Sequence, residues 1–260
     1  MSPSLAPVWR VALGAIAATA AWAVHAQSSG RPALTGNSVG LATMAAPVYA
    51  GSDEYRARVL PHFDFRRSNG IFLSAAEGLG YQAAAGRVLF GAQVTADLGR
   101  RERDAESLRG MGDVETRLEL GMFVWLPIGE RAMVSSSLRY GSGNDRNGLV
   151  LKLSAMRALP ISEAWTAHLG VGATLANAHH QRAYFGVTPA QSVATGRAAF
   201  EPGGGLKEVG LVGGLGYQAG AHHAVNFGIT VASLQGDARR SPIVRRRTAP
   251  GALLTWAYSL

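Results

Sequence analysis

The chain contains no cysteine among its 260 residues. That excludes a disulfide scaffold, a thiol nucleophile and a Cys-ligated zinc or iron–sulfur site. Charge is also scarce: Asp, Glu, Lys and Arg make up 16% of the residues, against about a quarter in an ordinary soluble domain. Nowhere is there an apolar run of the roughly 20 residues that a membrane-spanning helix needs; the longest, Val11 to Val24, falls short of it. Glycine, by contrast, is abundant at 33 residues, nearly double the usual share of about 7%. The balance of 25 Lys+Arg against 17 Asp+Glu leaves a net charge of +8.

The short apolar run follows Arg10 and ends at Val24-His25-Ala26. A basic flank, a short apolar stretch and a small residue at the end form a secretory signal peptide. Residues 1–26 are therefore expected to be removed, leaving residues 27–260 as one exported domain. Export and the scatter of the positive charges argue against nucleic-acid binding.

From Leu34 onward, polarity alternates with a period of two. Leu118, Leu120, Met122 and Val124 share one face, while Glu115, Arg117 and Glu119 share the other. Val88 to Leu98, Ala132 to Tyr140, Leu149 to Ala155, Trp165 to Leu175 and Leu254 to Leu260 repeat the scheme. An amphipathic helix would place apolar residues at three- and four-residue steps instead. Strands in sandwiches run about five or six residues, whereas strands that cross a membrane need roughly 9–11. The segments here have the longer span. The reading is an all-β, antiparallel transmembrane β-barrel with its apolar face in lipid and its polar face in the lumen.

Eleven segments emerge: 34–46, 55–65, 70–83, 87–98, 113–125, 131–140, 148–157, 163–176, 206–218, 222–234 and 251–260. Single-chain bacterial barrels have an even number of strands, and an odd count would leave the two chain ends on opposite sides of the membrane. Twelve strands are expected, with ten as the alternative. The missing strand is sought either near residues 28–48 or by dividing 70–83 at Glu77-Gly78. Segments 99–112, 177–205 and 235–250 form the longer loops, expected outside the cell.

On this frame Glu115, Arg117, Glu119, Arg139, Lys152 and His168 line the lumen as a mixed-charge set. Small barrels fill their interiors with side chains, so a narrow or closed lumen is expected. Arg239, Arg240, Arg245, Arg246 and Arg247 crowd one long loop. Arg pairs bidentately with phosphate, which points to lipopolysaccharide and outer-membrane lipid as partners. His179-His180 and His222-His223, read as strand residues, would each offer at most one inward ligand, so no metal site and no cofactor are expected. No nucleophile elbow is expected, and Gly203-Gly204-Gly205-Leu206-Lys207 lacks the rest of a phosphate loop. These features predict a protein that is not an enzyme.

Several stretches resemble the MipA/OmpV family of outer-membrane proteins. They are Pro47-Val48-Tyr49-Ala50-Gly51-Ser52-Asp53-Glu54-Tyr55, Gly78-Leu79-Gly80-Tyr81, Leu108 to Val114, Ala183 to Ser192 and Gly236 to Val244, in order along the mature chain. The resemblance implies residence in the cell outer membrane of a Gram-negative bacterium. It also implies a scaffold that brings a lytic murein transglycosylase together with a murein synthase, with a narrow porin-like channel as the alternative. The segment Trp256-Ala257-Tyr258-Ser259-Leu260 keeps the alternation of the signal read by the barrel-assembly machinery, through Trp256, Tyr258 and Leu260. It differs from the family's usual ending in having Leu rather than Phe as its final residue. The resemblance brings no catalytic residues.

Overall fold

The computed structural model describes residues 36–260; the expected signal peptide, residues 1–26, lies outside them. Twelve strands run in order: β1 Gly36–Pro47, β2 Tyr55–Arg66, β3 Ile71–Ser74, β4 Gly78–Ala85, β5 Val88–Asp97, β6 Arg117–Ile128, β7 Ala132–Ser142, β8 Gly148–Pro160, β9 Trp165–Ala176, β10 Gly205–Ala219, β11 His223–Leu234 and β12 Thr248–Ser259. Each pairs antiparallel with its neighbours, and β1 pairs with β12 from Ser38↔Ser259 to Ala45↔Ala252, closing the barrel. Closure joins the first strand to the last, which removes the two end edges that an open sheet would expose.

The alternation sets the two faces. Leu118, Leu120 and Met122 are 74%, 66% and 61% exposed on the outside, while Glu119 between them is 1% exposed. So apolar side chains coat the wall and the polar ones turn inward. At one end the connections are short, over 86–87, 129–131, 161–164 and 220–222; at the other they are long, over 98–116, 177–204 and 235–247. We call these the turn end and the loop end. Both described chain ends, Gly36 and Leu260, lie at the turn end, and Leu260 N–H donates to the Asn37 carbonyl. Aromatic rings ring that end on the outside, with Trp165 against Tyr217 at 4.6 Å and His223 stacked on Trp256. Girdles of this kind sit at membrane–water interfaces.

The twelfth strand comes from dividing 70–83 at Glu77-Gly78. Gly78 has φ +90°, open to glycine without penalty. Ser74 Oγ accepts from Ala76 N–H. Arg66 binds Glu77 and Asp64, and also donates to Gln82 Oε1 at 2.6 Å. A buried cation thus pins the turn. One consequence is that β3 is only four residues long. The β2–β3 ladder ends at Asp64↔Ser74, and the β4–β5 ladder ends at Leu79↔Val94. Above the turn, β2 therefore faces the end of β5 with no strand between them, and the wall has a notch. Phe63 carbonyl, on the notch side, accepts from Ala75 N–H. Residues of the same parity aim their backbone groups the same way, and one of them is Pro61, which has no N–H to leave unpaired.

Strand β6 begins at Arg117 rather than near residue 113. Val114 makes only an isolated bridge to Arg100 and is buried under the loop end, so its apolar side chain packs in a cap instead of meeting lipid. Within the long loop 177–204 are two helices, α1 Ala178–Phe185 and α2 Pro189–Thr195.

Candidate functional site: a capped, charged lumen

At the loop end, Val48, Tyr49, Ala105, Leu108, Met111, Val187 and Ile243 form one buried apolar cluster. Four of the five stretches that resemble the MipA/OmpV family meet here. Tyr49 Oη donates to the Ile243 carbonyl at 2.6 Å and lies 2.8 Å from Ser107 Oγ. Burial pushes its phenol pKa up, so it remains a donor.

Helix α1 lies below this cluster, across the mouth. Its N-cap Asn177 accepts from His180 N–H and Leu149 N–H, both at 3.0 Å. Tyr184 Oη donates to Asp97 Oδ1 at 2.6 Å, and Arg100 donates to the Tyr184 carbonyl. Burial, reinforced by the Asp97 carboxylate, raises the Tyr184 phenol far above its usual range. Lys207 Nζ lies 3.2 Å from His180 Nε2, and His180 Nδ1 lies 2.8 Å from Ser142 Oγ. An ammonium only donates. Nε2 therefore accepts, and Nδ1 carries the proton and donates to Ser142. Burial, then the charges of Lys207, Arg139 and Lys152, holds the imidazole pKa well below its usual value.

The lumen charges sit beneath. Arg139 pairs with Glu119 at 3.0 Å. Lys207 is the extra residue of a bulge between Leu206 and Glu208, which turns both Lys207 and Glu208 inward. The Lys152 ammonium is buried and has no hydrogen-bond partner among the described residues. Arg139 and Lys152 line two cavities at once. The upper lies beneath α1 and the lower nearer the turn end, each partly open to solvent. An apolar floor of Phe72, Leu89, Phe123, Trp125 and Met133 follows toward the turn end, with Phe72 and Phe123 edge to face at 5.9 Å. Gly91 leaves room for it: a Cβ there would lie 2.5 Å from the Phe123 ring.

Of the six residues expected in the lumen, Glu119, Arg139 and Lys152 come together in this cluster. Arg117 turns inward at the loop-end rim, where it pairs with Glu115; Glu115 precedes β6 and is exposed, so it belongs to the rim and not the lumen. His168 is buried on β9, nearer the turn end. Sequence reasoning missed Arg100, His180, Tyr184, Lys207 and Glu208 as members. Adjacent Lys207 and Glu208 cannot both face inward on a regular strand, so the bulge hid them. His179-His180 lies on helix α1 and not on a strand. Among the described residues no group of three or more His, Asp or Glu is placed to hold a metal.

The five loop arginines are exposed on a loop that is itself fixed. Ser241 Oγ donates to the Phe185 carbonyl, and Arg245 and Arg246 N–H both donate to the Gly51 carbonyl. Arg240 pairs with Asp237, whose carboxyl pKa is lowered by that hydrogen bond. Trp256 and Tyr258 sit at the turn end, and the Leu260 side chain is exposed. A glycine–serine–glycine spacing of the nucleophile-elbow kind does occur, at Gly36-Asn37-Ser38-Val39-Gly40, contrary to expectation. Ser38 Oγ lies 3.3 Å from His62 Nε2, but Ser38 belongs to a paired strand and not to a sharp turn, and the Asp64 carboxylate is held by Arg66.

In shape the chain is similar to an outer-membrane channel from Pseudomonas putida F1, with 9% identity, a TM-score of 0.48, and coverage of 90% of this chain and 98% of that one. It is similar also to the outer-membrane channel DcaP of Acinetobacter baumannii, with 9% identity, a TM-score of 0.37, and coverage of 86% and 72%. No curated protein matches the sequence. The family model described as "MltA-interacting protein MipA" matches residues 39–260, from β1 to the last residue. With that match, this twelve-stranded outer-membrane barrel belongs to the MipA family.

Proposed function

We propose that the protein is a non-conducting, non-enzymatic anchor in the outer membrane of a Gram-negative bacterium, holding a lytic murein transglycosylase and a murein synthase near the murein layer. The observation that carries this reading is the blocked lumen. Helix α1 covers one mouth, the paired Arg139 and Glu119 project into the lumen from the adjacent strands β7 and β6 beside Lys152, and the Phe72–Phe123–Trp125 cluster lies below. A lumen so filled favours a role outside transport, and the family description is of an MltA-interacting protein.

Long loops of such barrels face outward and short turns face the periplasm. The murein partners then meet the turn end and the residues before Gly36. The loop arginines meet the phosphates of lipopolysaccharide, and Trp256, Tyr258 and Leu260 serve the barrel-assembly machinery. In planar bilayers the purified protein should give no steady conductance, and cross-linking in envelopes should recover a murein hydrolase or synthase. Recovery of neither, with solute uptake that falls on deletion, would reject the anchor.

One observation favours the second reading, a narrow diffusion channel. The two cavities share Arg139 and Lys152, so only side chains divide them. On that reading, conductance would appear without disturbing α1.

A further inference from the structure

The lower cavity mixes apolar and hydroxyl side chains: Phe123 and Trp125 of β6, Ser135 and Ser137 of β7, and Ser154 and Met156 of β8 all line it. At its upper limit stand Arg139 and Lys152. Glu77 is the one carboxylate among the described residues lining it, and Arg66 binds that group. In the upper cavity Arg100, Arg139, Lys152 and Lys207 face Asp97, Glu119 and Glu208, a surplus of one cation. Glu119 is paired with Arg139, and Asp97 accepts from Tyr184. The buried Lys152 ammonium lies within reach of the charges of Glu208 and Glu119 but makes no hydrogen bond among the described residues, and a buried charge is costly unless it is paired and hydrogen-bonded.

The same cavity comes up to the turn and the β5 side of the notch. Ala76 and Glu77, in the turn below the notch, and Gln93 and Thr95 of β5 all line it. The outer surface around the notch carries Val59, Leu79 and Val94, all exposed and apolar. Unpaired strand edges are not tolerated against lipid tails, but they are tolerated where they line a polar passage.

We propose that the lower cavity binds a single-chain amphiphile with an anionic head, which enters from the bilayer through the notch between β2 and β5. The head supplies the hydrogen-bond acceptor that Lys152 lacks among the described residues, beside Arg139, and the chain lies against Phe123, Trp125 and Met156. This inference rests on the barrel alone and not on the murein reading.

The test uses the full chain with Trp9, Trp22, Trp165 and Trp256 changed to Phe, so that Trp125 is the one emitter. Titration with 11-bromoundecanoate in detergent should quench it saturably. Lys152→Gln should weaken the apparent affinity at least tenfold, and Lys152→Arg should restore most of it; heat-shifted gel migration verifies that each variant is folded. Ala76→Phe, at the lip of the notch, should slow the onset of quenching. Neutral 11-bromoundecanol should not saturate the site, and inorganic phosphate should not compete. Equal quenching in Lys152→Gln, or equal binding of the alcohol, overturns the proposal. Competition by phosphate at similar concentrations assigns Lys152 to a free anion and overturns it too.

Discussion

Glu119 is the carboxylate on which the central cations depend. It pairs with Arg139, and Lys152 and Lys207 lie close enough to feel its charge. Breaking a buried pair by removing one partner costs about 3–5 kcal/mol, whereas replacing both with apolar groups of similar size is often neutral. Glu119→Gln should therefore lower stability by about 3 kcal/mol. The double change Glu119→Leu with Arg139→Leu should lose much less, with urea unfolding of the refolded barrel as the measurement. Glu119, Arg139 and Lys152 were each legible from strand parity, because every one sits on a regular ladder. Lys207 and Glu208 were not, because parity is the rule that a bulge breaks.

Among the elements, helix α1 brings a titratable group, His180, from a loop into the lumen. His180 is neutral in the fold and its pKa is lowered by burial. Above the usual His pKa of about 6.5 both folded and unfolded chains are neutral there, and the seating is at full strength. As pH falls below that value the unfolded segment takes up a proton that the folded one resists, so stability declines down through the depressed folded pKa. Once corrected for the intrinsic pH dependence of amide exchange, the protection of amides across 177–196 should fall as the pH is lowered from 7 to 5, and His180→Gln should flatten that dependence. Unaltered protection in the parent protein would reject a neutral, seated His180. Most strands were legible because ten or more alternating residues average out local exceptions. Strand β3 offers four residues, too few for a period, and only Glu77-Gly78 marked its end. The helices left a different trace, unread: Asn177 as a cap, and Thr188-Pro189 with Gln191, whose side chain answers the cap. These are start signals of helices, but Ala178–Phe185 buries His180, Gln181 and Phe185 for tertiary reasons that no apolar stripe announces.

For the molecule as a whole, closure matters more than any one strand. Each strand has two neighbours, and β12 joins β11 to β1. Removing Thr248–Ser259 would expose two edges at once and strip β1 and β11 of one of their two partners each. The expected outcome is loss of the heat-modifiable species altogether, and not an eleven-stranded barrel, as read by migration of heated and unheated samples. A folded, heat-shifted product would show that β1 and β11 can close without it. The even count was legible only as a constraint: eleven segments left the described ends on opposite sides, and the division at Glu77-Gly78 restored them to one.

Because Gly36 and Leu260 finish side by side at the turn end, with Asn37 and Leu260 joined by a hydrogen bond, the order of the chain is in principle separable from the order of the wall. A short peptide linking residue 260 to residue 36 would bridge neighbours already in register. The backbone could then be opened elsewhere on the same rim, between β8 and β9 at 161–164 or between β10 and β11 at 220–222. Such circular permutants would move the chain ends around the rim while keeping every ladder, and so would offer a series of attachment points for reporters on a single face.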